Sequence, residues 1–128
     1  MEQVNYENQL IESFNQMWDK YPEPVQLIHR SFRILAVNES CRLLGGVAGV
    51  ICCADNDCKP HPGCRAMLAL KTNEAQVVAR EREGTQITGY WIPVAGATDY
   101  YIHFGNGMKD YMNKLAKQKD GELCPGDN

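Results

Sequence analysis

Between residues 4 and 21, apolar side chains fall at Leu10, Ile11, Phe14, Met17, Trp18 and Tyr21. That three-and-four spacing lines one face of a helix and predicts an amphipathic N-terminal helix. "YPEP" ends it, because proline lacks an amide donor and pushes the residue before it out of helical geometry. Two β-rich runs follow, "VQLIHR" and "RILAVN", separated only by Ser31 and Phe32, which reads as a tight hairpin. Asn38 then caps a short helix, "ESCRLL", which Gly45 and Gly46 terminate.

The second half has the same character. "RAMLALKTN" predicts a helix with Asn73 near its end. "AQVVARERE" and "TQITGYWIPV" flank Gly84, and "TDYYIHFG" follows the turn "AGA", giving an antiparallel meander of three strands. Met108, Tyr111, Met112 and Leu115 share one face of a closing helix, and the remainder is polar. The expected organisation is an N-terminal helix over 1–21, a domain over 22–105, a C-terminal helix over 106–118 and a tail over 119–128. The fold class is α+β: a five-stranded antiparallel sheet with helices on one face, plus the two terminal helices.

Composition narrows the function. A chain of 128 residues with 44% hydrophobic content can bury one core without covalent staples. Thirteen basic against sixteen acidic residues leave a net charge of -3, which argues against nucleic acid and anionic lipid as partners. The polar start "MEQVNYENQL" and the absence of a long apolar run predict a cytoplasmic protein with neither signal peptide nor membrane span.

Six cysteines are too few for a disulfide-built scaffold, yet four of them crowd into "GVICCADNDCKPHPGC". Read from the residues, this stretch admits several chemistries. Cys53, Cys58, His61 and Cys64 supply the three sulfurs and one imidazole of a tetrahedral zinc site. Cys58 and Cys64 could instead cycle between dithiol and disulfide, or the thiols could simply pack. Cys41 reads as core and Cys124 as incidental. His61 beside two cysteines lacks the fixed geometry that a thiol nucleophile and its base require, and "GGVAG" and "GNG" lack the strand-to-helix context of a phosphate loop, so no enzymatic activity is expected. His29 and His103 lie in strands, where haem ligation is disfavoured against ordinary hydrogen bonding; the motif C-x-x-C-H is absent.

"YPEPVQLIHRSFRILAVNESCRLLGG", with Asn38 after the second strand and a glycine turn, and "GYWIPVAGATDYYIHFG" near the end resemble the opening hairpin and last two strands of the PAS sensor domains. The resemblance runs from about Tyr21 to Gly105. It implies a sensory or regulatory module in signal transduction, with a pocket between sheet and helices. In that pocket Met67 and Leu70 are expected to face Ile87, Tyr101 and His103, a setting for a small ligand. The alternative is a cofactor-free dimerisation or protein-interaction module. Some members of the family hold an iron–sulfur cluster on four thiolates near the cysteine loop, so an iron–sulfur cluster joins zinc among the candidates for metal. Flavin is disfavoured, since "RAMLALKTN" lacks the asparagine-cysteine-arginine-phenylalanine run of the flavin-binding branch. The apolar stripes of the two terminal helices predict a homodimer contact. Output is expected to pass to a downstream signalling protein or a missing output domain.

Overall fold

The computed structural model describes residues 2–51 and 64–119. Helix α1, Glu2–Trp18, stops before the two prolines, and strands β1, Val25–His29, and β2, Ile34–Val37, follow. Two short helices, α2 at Glu39–Leu43 and α3 at Ala66–Thr72, precede β3, Gln76–Arg82, β4, Thr85–Val94, and β5, Ala97–Asn106. Helix α4, Met108–Lys119, closes the described chain. The strands form one antiparallel sheet in the order β2-β1-β5-β4-β3, which brings the first hairpin beside the last strand.

Strand alternation divides the core into two layers. Val25 and Leu27 of β1 and Tyr100 and Phe104 of β5 point to one face, where they pack with Phe14 of α1. Ile28, Trp91 and Tyr101 point to the other face and pack with Ala66 and Ala69 of α3. The small α3 side chains allow the helix to lie close on Trp91 and Tyr101, which are 3% and 1% exposed. The helical segment between β2 and β3 therefore covers one face, and α1 covers the opposite face with its own apolar stripe. Leu10, Ile11 and Trp18 all pack against the α1 layer. Of the stripe named in the sequence, Met17 is left exposed.

The first hairpin departs from the expected two-residue turn. A bulge between Leu27 and Ile28 shifts the register, and residues 30–33 connect the strands. Phe32 takes a left-handed φ of 71°, and the His29 ring nitrogen Nδ1 accepts the backbone N–H of Ser31 at 3.1 Å. A bulge and a side-chain-held turn of this kind replace the glycine-rich pair that a two-residue hairpin favours.

Asn38 fixes where α1, β1 and α2 meet. Its side chain is fully buried, and Oδ1 accepts the backbone N–H groups of Val25 and Cys41, each at 3.0 Å. Nδ2 donates to the carbonyls of Trp18, Tyr21 and Glu23. One amide thus caps α2, starts β1 and ties down the end of α1, which a residue with a single polar function could not do.

Candidate functional site

A cavity of about 150 Å³ lies between the sheet and α2, on the same face as α3. Its floor comes from β1 and β5, where Gln26 and His103 are direct cross-strand partners. Cys41 and Leu44 enter from α2 and its end, and Gly45 and Gly46 form a wall without side chains. Met108 and Met112, one helical turn apart on α4, complete the lining.

The polar groups of the floor are held in defined states. His103 Nδ1 lies 2.9 Å from the Tyr90 carbonyl, which can only accept, so Nδ1 carries a proton and donates. In the neutral ring, Nε2 is then an acceptor. The ring stacks on Trp91 at a centroid separation of 4.9 Å. Burial pushes the Cys41 thiol up to about 11, against smaller opposing effects from the Arg42 charge and a hydrogen bond with the Gln26 side chain. The thiol is therefore protonated and a poor nucleophile at neutral pH. A Cβ on Gly46 would collide with the Cys41 sulfur, so the glycine turn and the thiol pack directly on one another.

Helix α4 is held against this region by contacts remote in sequence. The Glu23 carboxylate accepts the backbone N–H groups of Gly107 at 3.2 Å and Lys109 at 2.9 Å, giving the α4 N-terminus both hydrogen bonds and negative charge. Tyr21 donates to the side-chain oxygen of Asn106 at 2.9 Å. Tyr111 is buried with the Arg82 guanidinium 5.9 Å from its ring centroid, and Lys114 donates to Thr85 at 2.9 Å.

The residues named from the sequence are distributed as follows. His103 lines the cavity. Ile87 and Tyr101 are buried, Tyr101 within the α3 layer. Leu70 packs against that layer, and Met67 is 38% exposed. Of the cysteine loop, Cys53, Cys58 and His61 lie outside the described residues; Cys64 is half-buried beside the α3 layer. Among the described residues no group of three or more histidine, cysteine or acidic side chains is arranged to hold a metal ion. Gln26, the glycine turn and the α4 methionines were not foreseen as parts of one site. Alternation puts Gln26 on the face opposite Leu27, but the joining of α4 to α2 depends on docking through Glu23, which leaves no local signal.

Comparison with known proteins yields no matching family model and no matching curated protein. Solved structures do match. A sensory box sensor histidine kinase from Vibrio cholerae superposes with a TM-score of 0.52 at 13% identity, over 82% of this chain and 92% of that one. The photoactive yellow protein domain of the sensor histidine kinase Ppr from Rhodospirillum centenum gives 0.51 at 16% identity, over 76% and 96%. Phage VqmA, solved as a complex with DPO, gives 0.55 at 17% identity, over 94% of this chain and 61% of that one. Among the described residues no helix is long and apolar enough to cross a membrane. The order β2-β1-β5-β4-β3, the short helices between β2 and β3 on one face and these likenesses agree: the chain has the fold of a PAS domain.

Proposed function

We propose that this chain is a sensory PAS domain whose input is a small molecule held in the cavity between β1, β5, α2 and α4. The observation that carries the reading is the lining itself. An imidazole, an amide and a thiol converge with two methionines on a space of about 150 Å³, a few oriented polar groups in a mainly apolar hollow. The likeness to phage VqmA, solved with DPO, supports a ligand over a purely structural role. Because α4 supplies one wall, occupancy acts on the helix that leaves the domain, and the output passes to a partner protein or a further domain. This function involves no catalysis.

The reading is tested by screening neutral small molecules for thermal stabilisation of the full chain, with Met112→Trp as the control that fills the cavity. A binder raises the unfolding temperature in a saturable manner in the wild type and not in the variant. Stabilisation that persists in Met112→Trp removes the cavity from the reading.

A second reading, an interaction module, is favoured by one feature. An open groove of about 360 Å³ runs along edge strand β2 between Ile11 and Asn15 of α1 and Val47, which is itself exposed. Val47→Asp should weaken partner binding or self-association while leaving ligand stabilisation intact.

A further inference from the structure

We infer that helix α1 and the short edge segment 49–51 form one coupled unit, joined through Arg33, so that release of either from the sheet loosens the other. The coupling is independent of what occupies the cavity.

The edge segment is held by few contacts. The Ile34 N–H donates to the Val50 carbonyl at 2.8 Å, the Gly49 N–H donates to the Ile34 carbonyl at 2.7 Å, and Ile51 forms an antiparallel bridge with Arg33. A pairing this short has little stability of its own. It also turns on Gly49, whose φ of 88° lies in the left-handed region that glycine adopts most readily.

Arg33 carries this edge to the helix. Its Nη2 donates to Glu7 Oε2 at 3.0 Å, and the Tyr100 hydroxyl donates to the same oxygen at 2.8 Å. The Glu7 side chain is only 16% exposed, so its charge is largely withdrawn from water and depends on such donors. Directly opposed residues of an antiparallel pair share a face, which puts Ile51 beside the Arg33 stem. Loss of the short segment therefore frees Arg33 to leave Glu7. Lifting α1 removes Glu7 in turn, and the Arg33 stem beside Ile51 loses its anchor.

The surroundings make Arg33 the positioning residue of the unit. A groove lined by Ile11 and Asn15 on one side and by Val47 and Ala48 on the other separates α1 from the residues that lead into the edge segment. Arg33 joins the two sides, through its guanidinium to α1 and through its backbone to Ile51. Because its side chain is 42% exposed, water screens the ion pair, and the expected coupling is about fivefold, the lower end of what linked sites show.

Amide hydrogen exchange on the full chain tests the coupling. Leu10 and Ile11 report α1, Ile34 reports the edge segment, and Tyr101 reports opening of the core. In the wild type the first three are expected to exchange faster than Tyr101, as a unit that opens without global unfolding does. Gly49→Ala places no new atom within 4 Å of another residue, so it acts through backbone strain alone. It should speed exchange about fivefold at Leu10 and Ile11 as well as at Ile34. Glu7→Gln, which keeps an acceptor and removes the charge, should speed Ile34 by a similar factor. In an Arg33→Met background, Gly49→Ala should still speed Ile34 and leave Leu10 and Ile11 unchanged. The coupling stands only if it is reciprocal, so a missing response at α1 to Gly49→Ala, or at Ile34 to Glu7→Gln, overturns it. An α1 response to Gly49→Ala that persists in Arg33→Met removes Arg33 as the link, and α1 amides that exchange only as slowly as Tyr101 show that α1 does not open as a unit at all.

Discussion

Glu23 Oε1 accepts the backbone N–H of Lys109 at 2.9 Å, joining the short linker before β1 to the first turn of α4. The same residue's carbonyl accepts from Asn38, so the end of α1, the start of β1 and the start of α4 share one set of hydrogen bonds. Anything that moves α4 therefore acts on the segment that carries Pro24 and Gln26 into the cavity floor.

Glu23→Ala removes the cap from two N–H groups and the negative charge from the positive end of the helix. The expected cost is about 1 kcal/mol, with faster hydrogen exchange concentrated in the first two turns of α4. Glu23→Gln should restore part of the capping and little of the charge effect. Unchanged exchange in α4 would show that contacts other than this cap, such as those of Tyr111 and Lys114, suffice to hold the helix.

Asn38→Ala leaves two buried N–H groups, those of Val25 and Cys41, without their acceptor. At about 1–3 kcal/mol for each orphaned group, urea unfolding should show a loss of about 3–5 kcal/mol, a large part of the 5–15 kcal/mol that stabilises a typical domain. Asn38→Asp retains the acceptor but sets its second oxygen against three carbonyls, which raises the pKa of the buried carboxyl. Its deficit against the wild type should be smallest below about pH 4, the range of an unfolded aspartate, and grow as pH rises toward the raised folded value.

The element order was legible because each strand reports its two faces by alternation: Leu27 against Ile28, and Tyr100 against Tyr101. Asn38 was legible as a cap from its place before "ESCRLL". What alternation cannot supply is the identity of the layer that meets each face. The α1 stripe looked like surplus surface for a second copy, yet Leu10, Ile11, Phe14 and Trp18 pack on the sheet of their own chain. Tyr101 and His103 share a strand face, but the first is enclosed by the α3 layer and the second borders the cavity. That distinction depends on where α3 and α4 dock. Likewise, no residue at the hairpin announces that the His29 ring will hold Ser31 and permit a longer turn.

Two glycines two residues apart should respond oppositely to alanine. Gly107 has φ of 91°, and an added Cβ would collide with the Gln86 carbonyl, so Gly107→Ala strains the backbone and displaces the start of α4. A loss of about 2 kcal/mol or more is expected. Gly105→Ala meets only ordinary contacts and should fall within about 1 kcal/mol of the wild type. Equal losses in the two variants would refute the strain at Gly107.

Cys41 makes stability fall in alkali. Its folded pKa stands near 11 against an ordinary 9.0, because burial disfavours the thiolate more than Arg42 and Gln26 favour it. The folded state therefore holds the proton more tightly than the unfolded state. The corresponding stability is fully present below pH 9 and is lost progressively as pH rises from about 9 through 11, by an amount on the order of 2–3 kcal/mol. Tyrosines and lysines titrate in the same range, so the informative quantity is the difference between wild type and Cys41→Ala, in which that pH-dependent part disappears. Alkylation of the native protein at pH 8 should accordingly be much slower at Cys41 than in unfolded chain, since the sulfur is both protonated and packed against Gly46. Prompt labelling of Cys41 in the native state, or identical alkaline unfolding of wild type and Cys41→Ala, would show that water reaches the thiol and that its side of the cavity is open.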